Sequence, residues 1–188
     1  MQKMFLPIVL LVGLSACSSM KDQVISRMDN MDEKPAWATL AKTTYVENGR
    51  VYAIGFVESS ADAKIQALMK LASHNGKSEI SRMVANNIGV VYQSVEEGTS
   101  GNELTRYIGT EKSSVLSNEI QVDRTYYEKV LTYNSNKEQV AKIQLYAMVS
   151  IPEKTLRDLV KTSLEEQKNI SPELRHKVDK QLDKMLEE

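Results

Sequence analysis

Between Lys142 and Ile151 the chain alternates without a break. Ile143, Leu145, Ala147, Val149 and Ile151 are apolar, and Lys142, Gln144, Tyr146, Met148 and Ser150 lie between them. Successive side chains on a strand point to opposite faces, so this run reads as a strand with one face in a core. A strand needs a hydrogen-bonding neighbour, and the preceding sequence supplies one. Glu119 to Tyr133 is rich in strand formers, with Ile120, Val122, Tyr126 and Val130 expected on one face, and Asn134-Ser135-Asn136-Lys137 makes the turn between the two. A second hairpin is expected at Asn48-Gly49, which separates Tyr45-Val46 from Val51-Tyr52, because both turn positions need positive φ. Its second strand, Val51 to Glu58, is apolar on both faces and reads as an interior strand.

Helical spacing fills much of the remainder. Ser59 and Asp62 stand at capping-box spacing and open a helix expected from Ala61 to about Asn86. Ile65, Leu68, Leu71, Ala72, Ile80, Met83 and Val84 share one side of it, and Gly76 is a point where it bends or splits. Ile88 to Val95 is rich in strand formers and is expected to be a strand, Glu97 to Asn102 a loop, and Thr110 to Asn118 a short helix. Pro152 opens a helix from Glu153 to about Lys168, and Ser171-Pro172 leads a final one with Leu174, Val178, Leu182, Met185 and Leu186 on a single stripe. Such a stripe either docks on its own sheet or pairs with a neighbouring subunit. The fold class that follows is α+β: an antiparallel sheet of about four to five strands packed against helices, with C-terminal helices, in one domain.

The N-terminus carries a different kind of signal. Lys3 precedes an apolar run from Met4 to Leu14, which closes on Leu14-Ser15-Ala16-Cys17. A basic start, about a dozen apolar residues and small residues before a cut site describe a secretory signal. The run is too short to span a bilayer, which takes about 20 apolar residues. Cys17 is the only cysteine in the chain. Leu-Ser-Ala-Cys resembles the lipobox of bacterial lipoproteins, in which the cysteine sulfur takes a diacylglycerol and becomes the mature N-terminus. Cys17 is thus the expected lipidation site, with residues 1–16 as a lipoprotein signal peptide. Ser18 and Ser19 follow, and the lack of an aspartate at the second mature position implies sorting to the outer membrane, more on its periplasmic face than at the cell surface. With Cys17 acylated no disulfide forms, so stability must come from an ordinary core. Residues 17–34, the lipidated cysteine and the polar stretch behind it, read as a tether, since they hold too little apolar surface to offset their ordering entropy. As a flexible chain it would reach on the order of 20 Å. The folded domain is expected from Pro35 to Lys168, opening with Trp37 as a core anchor, and residues 169–188 form the terminal amphipathic helix.

Chemistry is harder to find. The mature chain has 23 basic and 25 acidic side chains, a balance that offers no footprint for nucleic acid. Asn75-Gly76-Lys77-Ser78 looks like the end of a phosphate-binding loop, but position 71 is Leu where that motif needs glycine, and no strand leads into it. His74 and His176 stand far apart, and neither has a second histidine or a cysteine at ligand spacing. No Gly-x-Ser-x-Gly elbow occurs. The acidic pairs Asp32-Glu33, Glu96-Glu97 and Glu165-Glu166 read as solvated faces. The expectation is a protein that is not an enzyme and takes no cofactor and no metal.

Four pieces of the chain resemble the Lpp-twenty family of outer-membrane lipoproteins: Pro35-Ala36-Trp37; the Gly55-centred strand with the helix from Ala61; Gly109-Thr110-Glu111-Lys112; and the strands Tyr126-Tyr127-Glu128-Lys129 and Tyr146-Ala147-Met148-Val149-Ser150-Ile151-Pro152. The resemblance runs from about Pro35 to Leu164, roughly two-thirds of the chain, and leaves out the Asn48-Gly49 hairpin and the terminal helix. It implies a lipid-anchored module used structurally, in a flagellum-associated or other envelope ring, and offers no catalytic residue to carry over. The partners expected are the outer membrane, through the lipid on Cys17, with a homo-oligomer or an envelope or flagellar protein beside it. The alternative is a monomeric binding module that reaches from the membrane to a cell-wall or envelope protein.

Overall fold

The computed structural model describes residues 22–93, 113–166 and 171–187. Within them, β1 (Gln23–Arg27), β2 (Thr44–Glu47), β3 (Arg50–Ser60), β4 (Gln121–Tyr133) and β5 (Gln139–Pro152) form one sheet, antiparallel throughout, in the order β1-β4-β5-β3-β2. The helices are α1 (Ile65–Gln93), α2 (Ser113–Glu119), α3 (Glu153–Glu166) and α4 (Pro172–Glu187). The class is α+β, as the alternation and the helical spacing require. The alternating run is the middle strand, β5, paired along its length with β3 on one side and β4 on the other. Asn48 (φ 51°) and Gly49 (φ 71°) both take positive φ in the β2–β3 turn.

All four helices cover one face of the sheet. Val51, Ala53, Val149 and Ile151 meet Ile80, Val84 and Ile88 of α1, together with Leu156 and Val160 of α3 and Leu174, Val178 and Leu182 of α4. At the other end of the sheet, Val57, Ile143, Leu145 and Ala147 pack on Leu68 and Ala72. The terminal stripe is therefore docked on its own domain: Leu174, Val178, Leu182, Met185 and Leu186 are all buried. Gln181 Nε2 adds a hydrogen bond to Asn87 Oδ1 at 3.2 Å.

Several boundaries differ from the sequence expectation. β3 continues to Ser60, held by its pairing with Lys142, so Ser59 is a strand residue and the helix starts at Ile65. The ladder with β5 outcompetes the local cap. Gly76 neither bends nor splits α1; it is buried where the helix crosses Gly55 of the sheet. Ile88 to Val91 are helical, because Ile88 and Val91 extend the stripe of Ile80 and Val84 into the core beneath α4, and tertiary burial overrides their strand propensity. The rest of that expected strand beyond Gln93, the Glu97–Asn102 loop and residues 110–112 lie outside the described residues. A bulge between Val122 and Arg124 separates residues expected on one face: Val122 pairs with Val149 on the helix side, whereas Tyr126 pairs with Tyr146 on the other. Trp37 is only half-buried, and its neighbour Ala38 takes the buried position.

Candidate functional site

The second face of the sheet holds a buried polar cluster, and the segment expected to be a tether builds it. β1 hydrogen-bonds to the outer edge of β4, with Val24 opposite Val130 and Arg27 opposite Glu128. The chain then reverses through a short 3₁₀ turn, Met28–Asn30, where Asp29 and Asn30 both have positive φ (53° and 55°). Asp and Asn tolerate that region better than other side-chain-bearing residues, so this dipeptide can turn the strand back over the sheet. Met31 N–H closes the turn on Met28 O, and an Arg27 guanidinium N–H donates to Asp32 O at 2.6 Å. A second 3₁₀ turn, Ala36–Thr39, completes a strap that runs from Asp22 to the start of β2.

Lys34 fastens the strap. Its Nζ donates to Glu128 Oε1 at 2.9 Å and to Tyr146 Oη at 2.6 Å, and it stands 3.9 Å from the centre of the Tyr146 ring. Tyr126 donates its hydroxyl to Glu128 Oε2 at 3.1 Å, and Tyr146 donates to Gln144 Oε1 at 3.2 Å. Arg27 Nε lies 3.6 Å from Glu128 Oε2 and makes no hydrogen bond there. Glu128 is thus a carboxylate in a buried position (side chain 6 % exposed) with two cations and a phenol around it, which satisfies the requirement that a buried charge be paired. Burial opposes the Lys34 ammonium, but hydrogen bonds to Tyr146 and Glu128 outweigh it and hold its pKa above the ordinary lysine value. Burial, reinforced by the hydrogen bond to Glu128, pushes the Tyr126 phenol up to about 12. A neutral phenol and a charged amine with their partners inside the cluster form a clasp: they hold residues 22–40 on the sheet.

The other sequence candidates disperse. Cys17 and Glu96-Glu97 lie outside the described residues. His74 is exposed on α1 and His176 on α4. Asn75 to Ser78 form part of a continuous helix, with Lys77 Nζ donating to Ser117 O at 2.6 Å, so no phosphate loop exists there. Asp32-Glu33 is exposed on the strap and Glu165-Glu166 at the end of α3. Among the described residues no three His, Cys, Asp or Glu side chains are placed to hold a metal ion, and no helix is long and apolar enough to cross a membrane. Among the described residues, those lining a cleft of about 540 Å³ between Val90 of α1 and Lys180, Gln181 and Lys184 of α4 include no cysteine, histidine or aromatic side chain. The clasp itself escaped sequence reasoning, since Lys34 and Glu128 are 94 residues apart; the one local signal was Asp29-Asn30, a turn dipeptide between two short runs. No family model, no curated protein and no solved structure matches this chain.

Proposed function

We propose that this protein is an outer-membrane lipoprotein, anchored through an acylated Cys17, whose domain serves as a structural piece of the envelope in a flagellum-associated or other ring. The lipobox-like Leu14-Ser15-Ala16-Cys17 and the resemblance to the Lpp-twenty family motivate the reading. The observation that carries it is the strap: residues 22–40 belong to the domain, so only Ser18 to Lys21 separate Cys17 from the first described residue, Asp22. A module on so short a leash is held at the bilayer surface. The alternative of a domain reaching outward to a partner needs the long flexible segment that the sheet has taken up.

Assembly, on this reading, does not use the terminal stripe, which the domain buries. Edge-to-edge pairing is also disfavoured, because β1 is bulged between Val24 and Ser26 and β2 is only four residues long. Exposed apolar side chains on and beside the strap, Met31, Leu40 and Phe56, offer one surface for contact between copies. Mass spectrometry of the mature protein tests the anchor, with diacylglyceryl mass expected on Cys17 and lost in Cys17→Ser. In-cell crosslinking of the membrane-tethered protein tests assembly: products containing two or more copies are expected, and a strict monomer at the membrane would sink the structural role.

A further inference from the structure

The direction of β1 decides which end of the domain meets the bilayer. Gln23 pairs with Leu131 and Arg27 with Glu128, so the strand starts at the end of the sheet where β4 turns into β5. Cys17 lies six residues before Gln23, a span of at most about 20 Å for a fully extended chain. The β4–β5 tip projects past Leu131 by about four residues, roughly 13 Å, toward the same side as the incoming chain. The opposite end, where β5 gives way to α3, is some 45 Å away along the 14 residues of β5.

We infer that the β4–β5 hairpin tip and the start of β1 form a membrane-contact surface that seats in the headgroup layer of the bilayer carrying the lipid anchor. This inference rests on the acylation of Cys17 proposed above. The residues gathered at this corner suit an interface. Tyr133 is 36 % exposed and presents a ring with a polar rim, its hydroxyl accepting from Gln139 Nε2 at 3.0 Å. Ile25, the extra residue in the β1 bulge, is 55 % exposed beside the exposed Val24. The turn is rigid: Asn134 Oδ1 accepts from the backbone N–H groups of Asn136 and Glu138, and Lys137 holds positive φ. Lys137 and Glu138 cancel in charge and the exposed Asp22 adds one carboxylate, so the contact is one of amphipathic side chains at the interface, with no requirement for anionic lipid.

The test uses the mature, acylated protein in vesicles of phosphatidylethanolamine and phosphatidylglycerol, part of the phospholipid brominated on its acyl chains. With Cys17 blocked by lipid, Ser135→Cys provides a single thiol for a fluorescent label at the tip, and Lys154→Cys provides one at the far end. Both positions are exposed, so neither substitution disturbs packing. The tip label is expected to be quenched several-fold more than the far label, and Tyr133→Ser to lower that quenching. Equal or absent quenching at the tip, in protein that carries the acyl mass and floats with the vesicles, would overturn the inference while leaving the anchor intact. Protein without acyl mass that fails to float would overturn both. An unchanged signal in Tyr133→Ser would overturn the part assigned to that ring.

Discussion

Two glycines face each other where α1 crosses β3, and their substitution by alanine should have very unequal costs. A Cβ added to Gly55 would stand 1.9 Å from Ala72 O and 2.4 Å from Gly76 N, against a floor of 3.0 Å that real Cβ contacts essentially never breach. Both obstacles are backbone of a helix whose carbonyls and amides are bonded in its own ladder, so no side chain can swing aside. The helix has to lift from the sheet by about 1 Å, which loosens the packing of Leu68, Ala72 and Ile80 together; overpacking costs about 1–3 kcal/mol where side chains absorb it, and a rigid obstacle sets about 3 kcal/mol as the lower figure. Seen from the helix, a Cβ on Gly76 meets Val149 Cγ2 at 3.0 Å and Gly55 N at 3.1 Å, a conflict of a few tenths of an ångström. Against that, alanine in a helix interior is favoured over glycine by about 1 kcal/mol. Gly76→Ala should therefore lie within about 1 kcal/mol of the parent. Urea unfolding of the mature chain followed by circular dichroism reads both values. In thermal melts, a chain of this size loses about 2–4 °C per kcal/mol, so Gly55→Ala should melt roughly 6–12 °C lower. A Gly55→Ala variant within 1 kcal/mol of the parent, or one more stable than Gly76→Ala, would refute the close-crossing argument.

Three further outcomes are expected. Lys34→Met strips Glu128 of its closest cation and should cost about 2 kcal/mol, the range for hydrogen bonds to charged groups, with amide exchange accelerating first at Val24 to Arg27; uniform acceleration across the domain would contradict a local clasp. Raised folded-state pKa values at Tyr126 and Lys34 give stability that is complete below the unfolded pKa and lost as pH rises through the folded one. For Tyr126, between about 10 and about 12, the loss is about 2–3 kcal/mol, and denaturant midpoints flat across that window would be incompatible with it. Leu182→Ala should lower unfolding free energy by about 2–5 kcal/mol at every protein concentration; a cost that appears only where subunits associate would place the stripe between copies instead.

What could be read in the sequence follows the range of the forces involved. The β4–β5 hairpin, the Asn48-Gly49 turn and the C-terminal helices were legible because period and turn chemistry are properties of neighbouring residues. Ile88 to Val91 misled because their β-branched side chains favour strands locally, and only the arrival of α4 gives a helix there something to bury. The strap misled for a related reason. Composition argues that residues 22–34 cannot form a core, and they do not form one; they borrow the face of a sheet whose other side is already packed. Most of the clasp, Tyr126, Glu128 and Tyr146, comes from strands more than 90 residues away from Lys34. The alternation in β5 predicted two kinds of face correctly, but it gave no notice that Met148 and Ser150 on the polar side would be buried.

The clasp also sets where the domain can be. With β1 paired and Lys34 bound, the chain from Cys17 to the fold spans at most about 20 Å; with the strap peeled off to Leu40, the same chain would span up to about 75 Å. A break of about 2 kcal/mol in Lys34→Met changes the open fraction roughly thirtyfold. If the strap determines height above the bilayer, quenching at the hairpin tip should fall in that variant in proportion to the opened fraction that amide exchange reports at Val24 to Arg27, while the protein remains acylated and membrane-bound. Position and stability would then fail together from one side chain, which an unstructured tether cannot produce.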